Sequence, residues 1–289
     1  MLNLIPEPNE NPLAAEAPND LPGSAPIAPP EPTVVLAAQP SFLARSFPAW
    51  SGWDVVAVMV ITAIVVFGFS IAALFIARTV PGYRHIPAAE LATNARVVIG
   101  TQVAAYPLVL LFIFVLVRSR ARERFGKAIH WNWPGISAPG FFAMGIILAV
   151  VIDGLSRFLP IPKSLPMDKY FHDAASAYLL AAFGMTLAPL LEELFFRGLL
   201  YPVLRRVFGL TIAVVLTAAA FAGIHGTQLG YAWAPILSIF VVGVVFTAAR
   251  ERTNSVAASF LMHCGYNFSL FALLWLASDH YRHLEKVAN

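Results

Sequence analysis

The sequence predicts an all-α bundle of about seven helices that cross a membrane, preceded by a disordered N-terminal tail. Two observations carry this. The 289-residue chain is 58% apolar and 12% charged, with a mean hydropathy of +0.72, where a globular chain has about a quarter of its residues charged. Its apolar residues fall in long runs joined by short connections, and no period-two alternation competes with them.

Residues 1–48 hold eleven of the 22 prolines and five acidic residues against the single basic Arg45. Such a stretch cannot bury enough apolar surface to offset its chain entropy, so a disordered tail is expected. It lacks the basic start and the apolar stretch of about 7–15 residues that mark a signal peptide, which leaves the first crossing to act as the signal. Seven segments follow, at 54–77, 97–117, 139–159, 177–204, 208–225, 231–249 and 255–277. Each approaches or exceeds the roughly 20 apolar residues that cross a hydrocarbon core of about 30 Å. They group into crossings at 49–160 and a membrane core at 161–289.

Lys and Arg set the expected orientation. Arg118, Arg120, Arg122, Arg124 and Lys127 crowd one connection, which should be cytoplasmic, and this puts the N-terminus inside. Seven crossings then place ten basic residues inside and eight outside, with Arg197 in the membrane. These charges flank crossings, so the formal net charge of +3 reflects topology and lipid contact and not nucleic acid, which is not expected as a partner. Cys264 is the one cysteine, which excludes an intramolecular disulfide and a Cys-based metal cluster; it reads as a small buried hydrophobe.

Against this background six polar groups stand out: Glu192, Glu193 and Arg197 in one run, His225 ending the next, and His263 with Asn267 in the last. A charge at a helix centre costs about 2.5–3.5 kcal/mol on insertion scales, so such groups face inward and are used. Glu193 and Arg197 are four apart and share a helical face, while Glu192 points about 100° away from Glu193. Arg197 can therefore neutralise Glu193 and leave Glu192 free as a general base. His263 and Asn267 are also four apart, and two converging donors could hold an oxyanion. Phe221 and His225 share a third such face, and Ala219, Ala220, Ala222 and Gly223 permit close helix approach. Each pair alone is equally an ordinary interhelical contact.

Glu-Glu-x-x-x-Arg at 192–197, Phe-x-x-x-His at 221–225 and His-x-x-x-Asn at 263–267, in that order on successive apolar segments, resemble the three motifs of the CAAX protease and bacteriocin-processing family. This family, also called Abi, comprises intramembrane proteases that include CAAX prenyl endopeptidases. The resemblance covers roughly residues 177–277. It implies that Glu192 activates water with help from His225, that His263 and Asn267 hold the oxyanion, and that Glu193, Arg197 and Phe221 support the site. It also implies a membrane-associated protein or peptide as substrate. Family members have been described as metalloproteases, and Glu192, His225 and His263 would be an acceptable Zn²⁺ set. A metal-free site is preferred, because His263 with Asn267 reads better as a donor pair.

The expected function is thus intramembrane peptide hydrolysis, with a transporter or a catalytically idle scaffold as alternatives. The depth of the groups poses a problem. Measured from a turn near 206, Glu192 lies 14 residues back and His225 19 forward, a mismatch of about 7 Å at 1.5 Å per residue. A break at Gly198 and Pro202, turning 198–207 along the membrane surface, would remedy it. Asp153 and Arg157, four apart, read as a structural ion pair, and Trp131 and Trp133 as interfacial anchors.

Overall fold

Residues 48–284 are described by a computed structural model. The tail expected over 1–48 lies, but for Pro48, outside the described residues. The described residues form helices and no strand. We label the main ones α1 (Gly52–Thr79), α2 (Ala95–Arg120), α3 (Ala138–Ser156), α4 (Ala174–Met185), α5 (Leu187–Glu193), α6 (Tyr201–Ile224), α7 (Trp233–Thr253) and α8 (Val256–Ala277). Residues 194–200, between α5 and α6, are π-helical.

Local chemistry fixes the helix starts. Ser51 and Asp54 form a capping box on α1, with Asp54 N–H donating to Ser51 Oγ at 3.3 Å and Ser51 N–H to Asp54 Oδ2 at 2.8 Å. Arg120 at the end of α2 donates to the same Asp54 at 2.7 Å, which pins the start of α1 to the end of α2. Asp173 caps α4 by accepting from Ser176 N–H at 2.9 Å, and Arg96 at the start of α2 lies 3.0 Å from it. The Ser176 N–H, and beside it the Arg96 guanidinium, hold the Asp173 carboxyl below the usual carboxylate range.

Six continuous helical stretches among the described residues are long and apolar enough to cross a membrane. One of them, Ala174–Ile224, has 51 residues and would reach about 77 Å if straight. It is not straight. Phe196 and Phe221 stack edge to face at 5.3 Å, so the chain has doubled back between them. The reversal is at Gly209, whose φ of 79° and ψ of −178° lie where a side chain is not tolerated. This stretch therefore holds the fourth and fifth of the seven predicted segments.

The position of that turn corrects the depth problem. From Gly209, Glu192 is 17 residues back and His225 is 16 forward, so the two arms match in length. No break at Gly198 and Pro202 is needed, and residues 198–207 remain helical. Pro202 sits in the first turn of α6, where its missing N–H is tolerated.

The closest packing in the bundle is between α3 and α8. A Cβ on Gly145 would lie 2.0 Å from the Met262 carbonyl oxygen, and one on Gly265 would lie 2.0 Å from that of Phe142. Backbone meets backbone there, so no rotamer change can make room. Outer faces such as that of α1, with Trp53, Phe67 and Phe75 mostly exposed, suit hydrocarbon and not water.

Gly265→Ala should therefore lower stability by on the order of 3 kcal/mol as α3 and α8 separate. Gly154→Ala, where a Cβ meets nothing within 4 Å, should be neutral or stabilising by up to about 1 kcal/mol. Thermal unfolding in detergent compares them, and equal melting points would contradict the packing.

Candidate active site

The α5 helix and the π-helical segment carry the acidic motif. Tyr201 N–H donates to Phe196 O, five residues back, and Pro202 follows with no N–H to restore the ordinary ladder. The wide segment places Arg197 beside Glu193, with Nη1 donating to Oε1 at 2.7 Å and both side chains fully buried. Arg197 Nη2 donates to the Gly243 carbonyl at 3.1 Å, and Nε lies 3.4 Å from Thr247 Oγ1. Its guanidinium sits 4.5 Å from the Phe221 ring centroid and 5.4 Å from that of Phe246. Glu192, one residue before Glu193, points away from this cluster and keeps 23% of its side chain exposed.

Glu193 does more than neutralise Arg197. His263 Nδ1 lies 3.0 Å from the same Oε1, and a carboxylate held by a guanidinium can only accept, so Nδ1 carries a proton. His263 Nε2 then faces Glu192 Oε2 across 3.6 Å, too far for a direct hydrogen bond. The Phe246 ring lies 4.9 Å from the imidazole on one side and the Phe221 ring 5.7 Å away edge on. His263 is thus fixed between the two glutamates.

His225 is the C-cap residue of α6, and its Nδ1 lies 2.9 Å from the Phe221 carbonyl oxygen. A carbonyl only accepts, so Nδ1 is the donor and the Nε2 lone pair remains available. Phe221 touches both imidazoles, at 5.1 Å from His225. Asn267 gives one amide N–H to the Gly184 carbonyl at 2.7 Å, which ties α8 to α4 and leaves it a second N–H.

Glu192, His225, His263 and Asn267 line one cavity of about 1080 Å³, with Phe221 also in its wall and Asp153 among its lining residues. Asp153 pairs with Arg157 at 3.1 Å, as the spacing suggests. Glu193 and Arg197 are not in the cavity wall; they lie behind it. Sequence reasoning missed the partners that complete the cluster, namely Gly243, Phe246 and Thr247 on α7 and Gly184 on α4. Gly243 and Thr247 are four apart, a spacing that could have marked a polar stripe opposite Arg197.

Glu192, His225 and His263 are the residues that would have to hold a Zn²⁺ ion. Among the described residues no three His, Cys, Asp or Glu side chains gather as a metal-binding group.

Removing Arg197 would strand Glu193 against His263 in a dry interior. Arg197→Ala should therefore cost on the order of 3–5 kcal/mol, seen as a lower melting point in detergent together with lost activity. An unchanged melting point would contradict the structural role of the pair.

Residues 174–269 match the family model described as type II CAAX prenyl endopeptidase, Rce1-like. No curated protein and no solved structure matches the chain significantly. The matched stretch contains every position of the three motifs, Glu192, Glu193, Arg197, Phe221, His225, His263 and Asn267. Over residues 174–269, then, the chain is similar to the Rce1-like CAAX prenyl endopeptidases, in agreement with the resemblance of its three motifs.

Proposed function

We propose that the protein hydrolyses a peptide bond of a membrane-associated protein or peptide, using water activated by Glu192 and no metal. The observation that carries this reading is the contrast between the two neighbouring glutamates. Glu193 is consumed by Arg197 and His263, whereas Glu192 faces the cavity with its nearest ring nitrogen, His263 Nε2, 3.6 Å away.

In the proposed reaction Glu192 takes a proton from water, and the hydroxide oxygen adds to the substrate carbonyl carbon. His225 Nε2 accepts a second hydrogen bond from that water and aims it. The oxyanion is held by the free N–H of Asn267 and by His263 Nε2, which donates when the ring is the imidazolium, its Nδ1–H anchored on Glu193. Protonated Glu192 then returns its proton to the amide nitrogen, the C–N bond breaks, and a carboxylic acid and an amine leave. Phe221, packed on Arg197 and both imidazoles, keeps the two histidines in place. The six polar groups would not all need to converge in a scaffold. A transporter reading gains nothing from Asp153, which is paired with Arg157.

One assay tests both halves of the proposal. Purified Glu192→Gln protein should melt like the parent and lose roughly 10²–10⁴-fold in turnover of a peptide substrate. The parent should keep its activity after exhaustive chelation, because no ion supplies the lowered water pKa. Cleavage at the parental rate by folded Glu192→Gln protein would sink the base assignment. Activity lost to chelation and restored by stoichiometric zinc would overturn the metal-free version alone.

A further inference from the structure

We propose that Gln102 and Tyr106 on α2 hold the main chain of the substrate beside Glu192, the Gln102 amide donating to a substrate carbonyl and the Tyr106 hydroxyl accepting a substrate amide N–H. That the occupant is a peptide rests on the hydrolytic reading above. Neither residue lies in the matched stretch 174–269 or in one of the three motifs.

The sequence of α2 already sets the two apart. Between Val97 and Val117 the helix has three polar side chains, Thr101, Gln102 and Tyr106. Thr101 satisfies itself, its Oγ1 donating to the Val97 carbonyl at 2.7 Å. Gln102 and Tyr106 fall instead in the stripe Ile99, Gln102, Tyr106, Val109, Ile113, Val117, whose spacings of three and four mark one helical face. The four apolar members of that stripe are buried in the bundle. Polar side chains in the inward stripe of a membrane-crossing helix need hydrogen-bond partners, because hydrocarbon supplies none.

The protein gives this pair few partners. Tyr106 O–H donates to Gln102 Oε1 one turn back at 3.4 Å, a long hydrogen bond. The Tyr106 lone pairs and both N–H groups of the Gln102 amide meet no partner among the described residues. Both side chains are half-buried and line the cavity with Glu192, His225, His263 and Asn267. The Glu192 carboxylate is close enough to act electrostatically on the Tyr106 phenol. Tyr106 is held in place by Phe183 on α4, with ring centroids 5.5 Å apart. Phe183 directly precedes Gly184, whose carbonyl takes the Asn267 amide at 2.7 Å, so α4 couples this wall to the oxyanion donors.

A peptide entering such a cavity brings an N–H and a C=O for nearly every residue and leaves water behind. Each group left unpaired costs about 1–3 kcal/mol. Much of the wall cannot help, since Ile152, Leu180, Ile239, Val242 and Leu270 are apolar. Ser156 and Ser238 also line it, but their hydroxyls are given to the Asp153 carbonyl at 2.7 Å and the Ala234 carbonyl at 3.2 Å. Gln102 and Tyr106 offer what a main chain lacks, a donor and an acceptor one helical turn apart, in the same wall as the general base.

The test reads binding apart from cleavage. The probe is a pool of fluorescent octapeptides, blocked at both ends and randomised over apolar residues, so that the main chain supplies the hydrogen-bonding groups. A second pool replaces backbone amides with esters, which have no N–H. Affinity is measured by fluorescence anisotropy on full-length Glu192→Gln protein in detergent, alone and with Gln102→Leu or Tyr106→Phe added. Each added substitution should leave the melting point unchanged and weaken binding of the amide pool by roughly 3–10-fold, the worth of one neutral hydrogen bond. With the ester pool the Tyr106→Phe effect should vanish and the Gln102→Leu effect should persist, which a merely structural role would not produce. Unchanged affinity in both folded variants, no saturable binding to any form, or the same Tyr106→Phe effect on both pools would overturn the proposal. Cleavage of the amide pool by the parent, lost in Glu192→Gln, would keep the hydrolytic reading standing in that event. Binding that follows the expected pattern with a parent that cleaves nothing would strike the hydrolytic reading alone and support the main-chain contacts.

Discussion

The arrangement of this protein depends on one buried ion pair, Glu193 with Arg197. A charge in the hydrocarbon interior is costly unless it is paired and every polar atom has somewhere to go. Arg197 meets that demand with Glu193, the Gly243 carbonyl, the Thr247 hydroxyl and the faces of Phe221 and Phe246. Four helical segments converge on it as a result. Once it is in place, Glu193 has one geometry left in which to receive His263, and the imidazole has one orientation in which to face Glu192.

Two neighbouring carboxylates thereby acquire different environments. Glu193 is part of the frame, sealed from the cavity and shared between a guanidinium and an imidazole. Glu192 projects from the preceding position on the helix into a cavity of about 1080 Å³. The π-helical stretch that follows lies where Arg197 must reach both Glu193 and α7. Such stretches occur often at functional sites, because they widen the helix locally at the cost of weaker hydrogen bonding.

Much of this was legible in the sequence. Hydropathy marked every long helix, since hydrocarbon demands about 20 apolar residues per crossing. Spacing of four predicted the Glu193–Arg197 and Asp153–Arg157 pairs and set Glu192 apart, because a helix alone fixes those directions. The turn was misplaced: the gap between the apolar segments 177–204 and 208–225 suggested a reversal near 206, whereas Gly209 provides it through a backbone angle that composition does not reveal. The His263–Glu193 bond and the contribution of α7 were also not legible. They depend on how helices far apart in sequence pack, and no local period encodes that. Gly145 and Gly265, which look like ordinary helix glycines in the sequence, turn out to be where α3 and α8 touch.

The central claim is that Glu193 holds His263 through Nδ1 and leaves Nε2 to the cavity. Nitrogen NMR of the protein labelled at its histidine rings reads this directly, with His263→Ala identifying the resonances. At neutral pH the Nδ1 of His263 should carry a proton, and Glu193→Gln should change that signal while Glu192→Gln preserves it. A His263 ring with a bare Nδ1 and a protonated Nε2 would contradict the arrangement from which the rest is built.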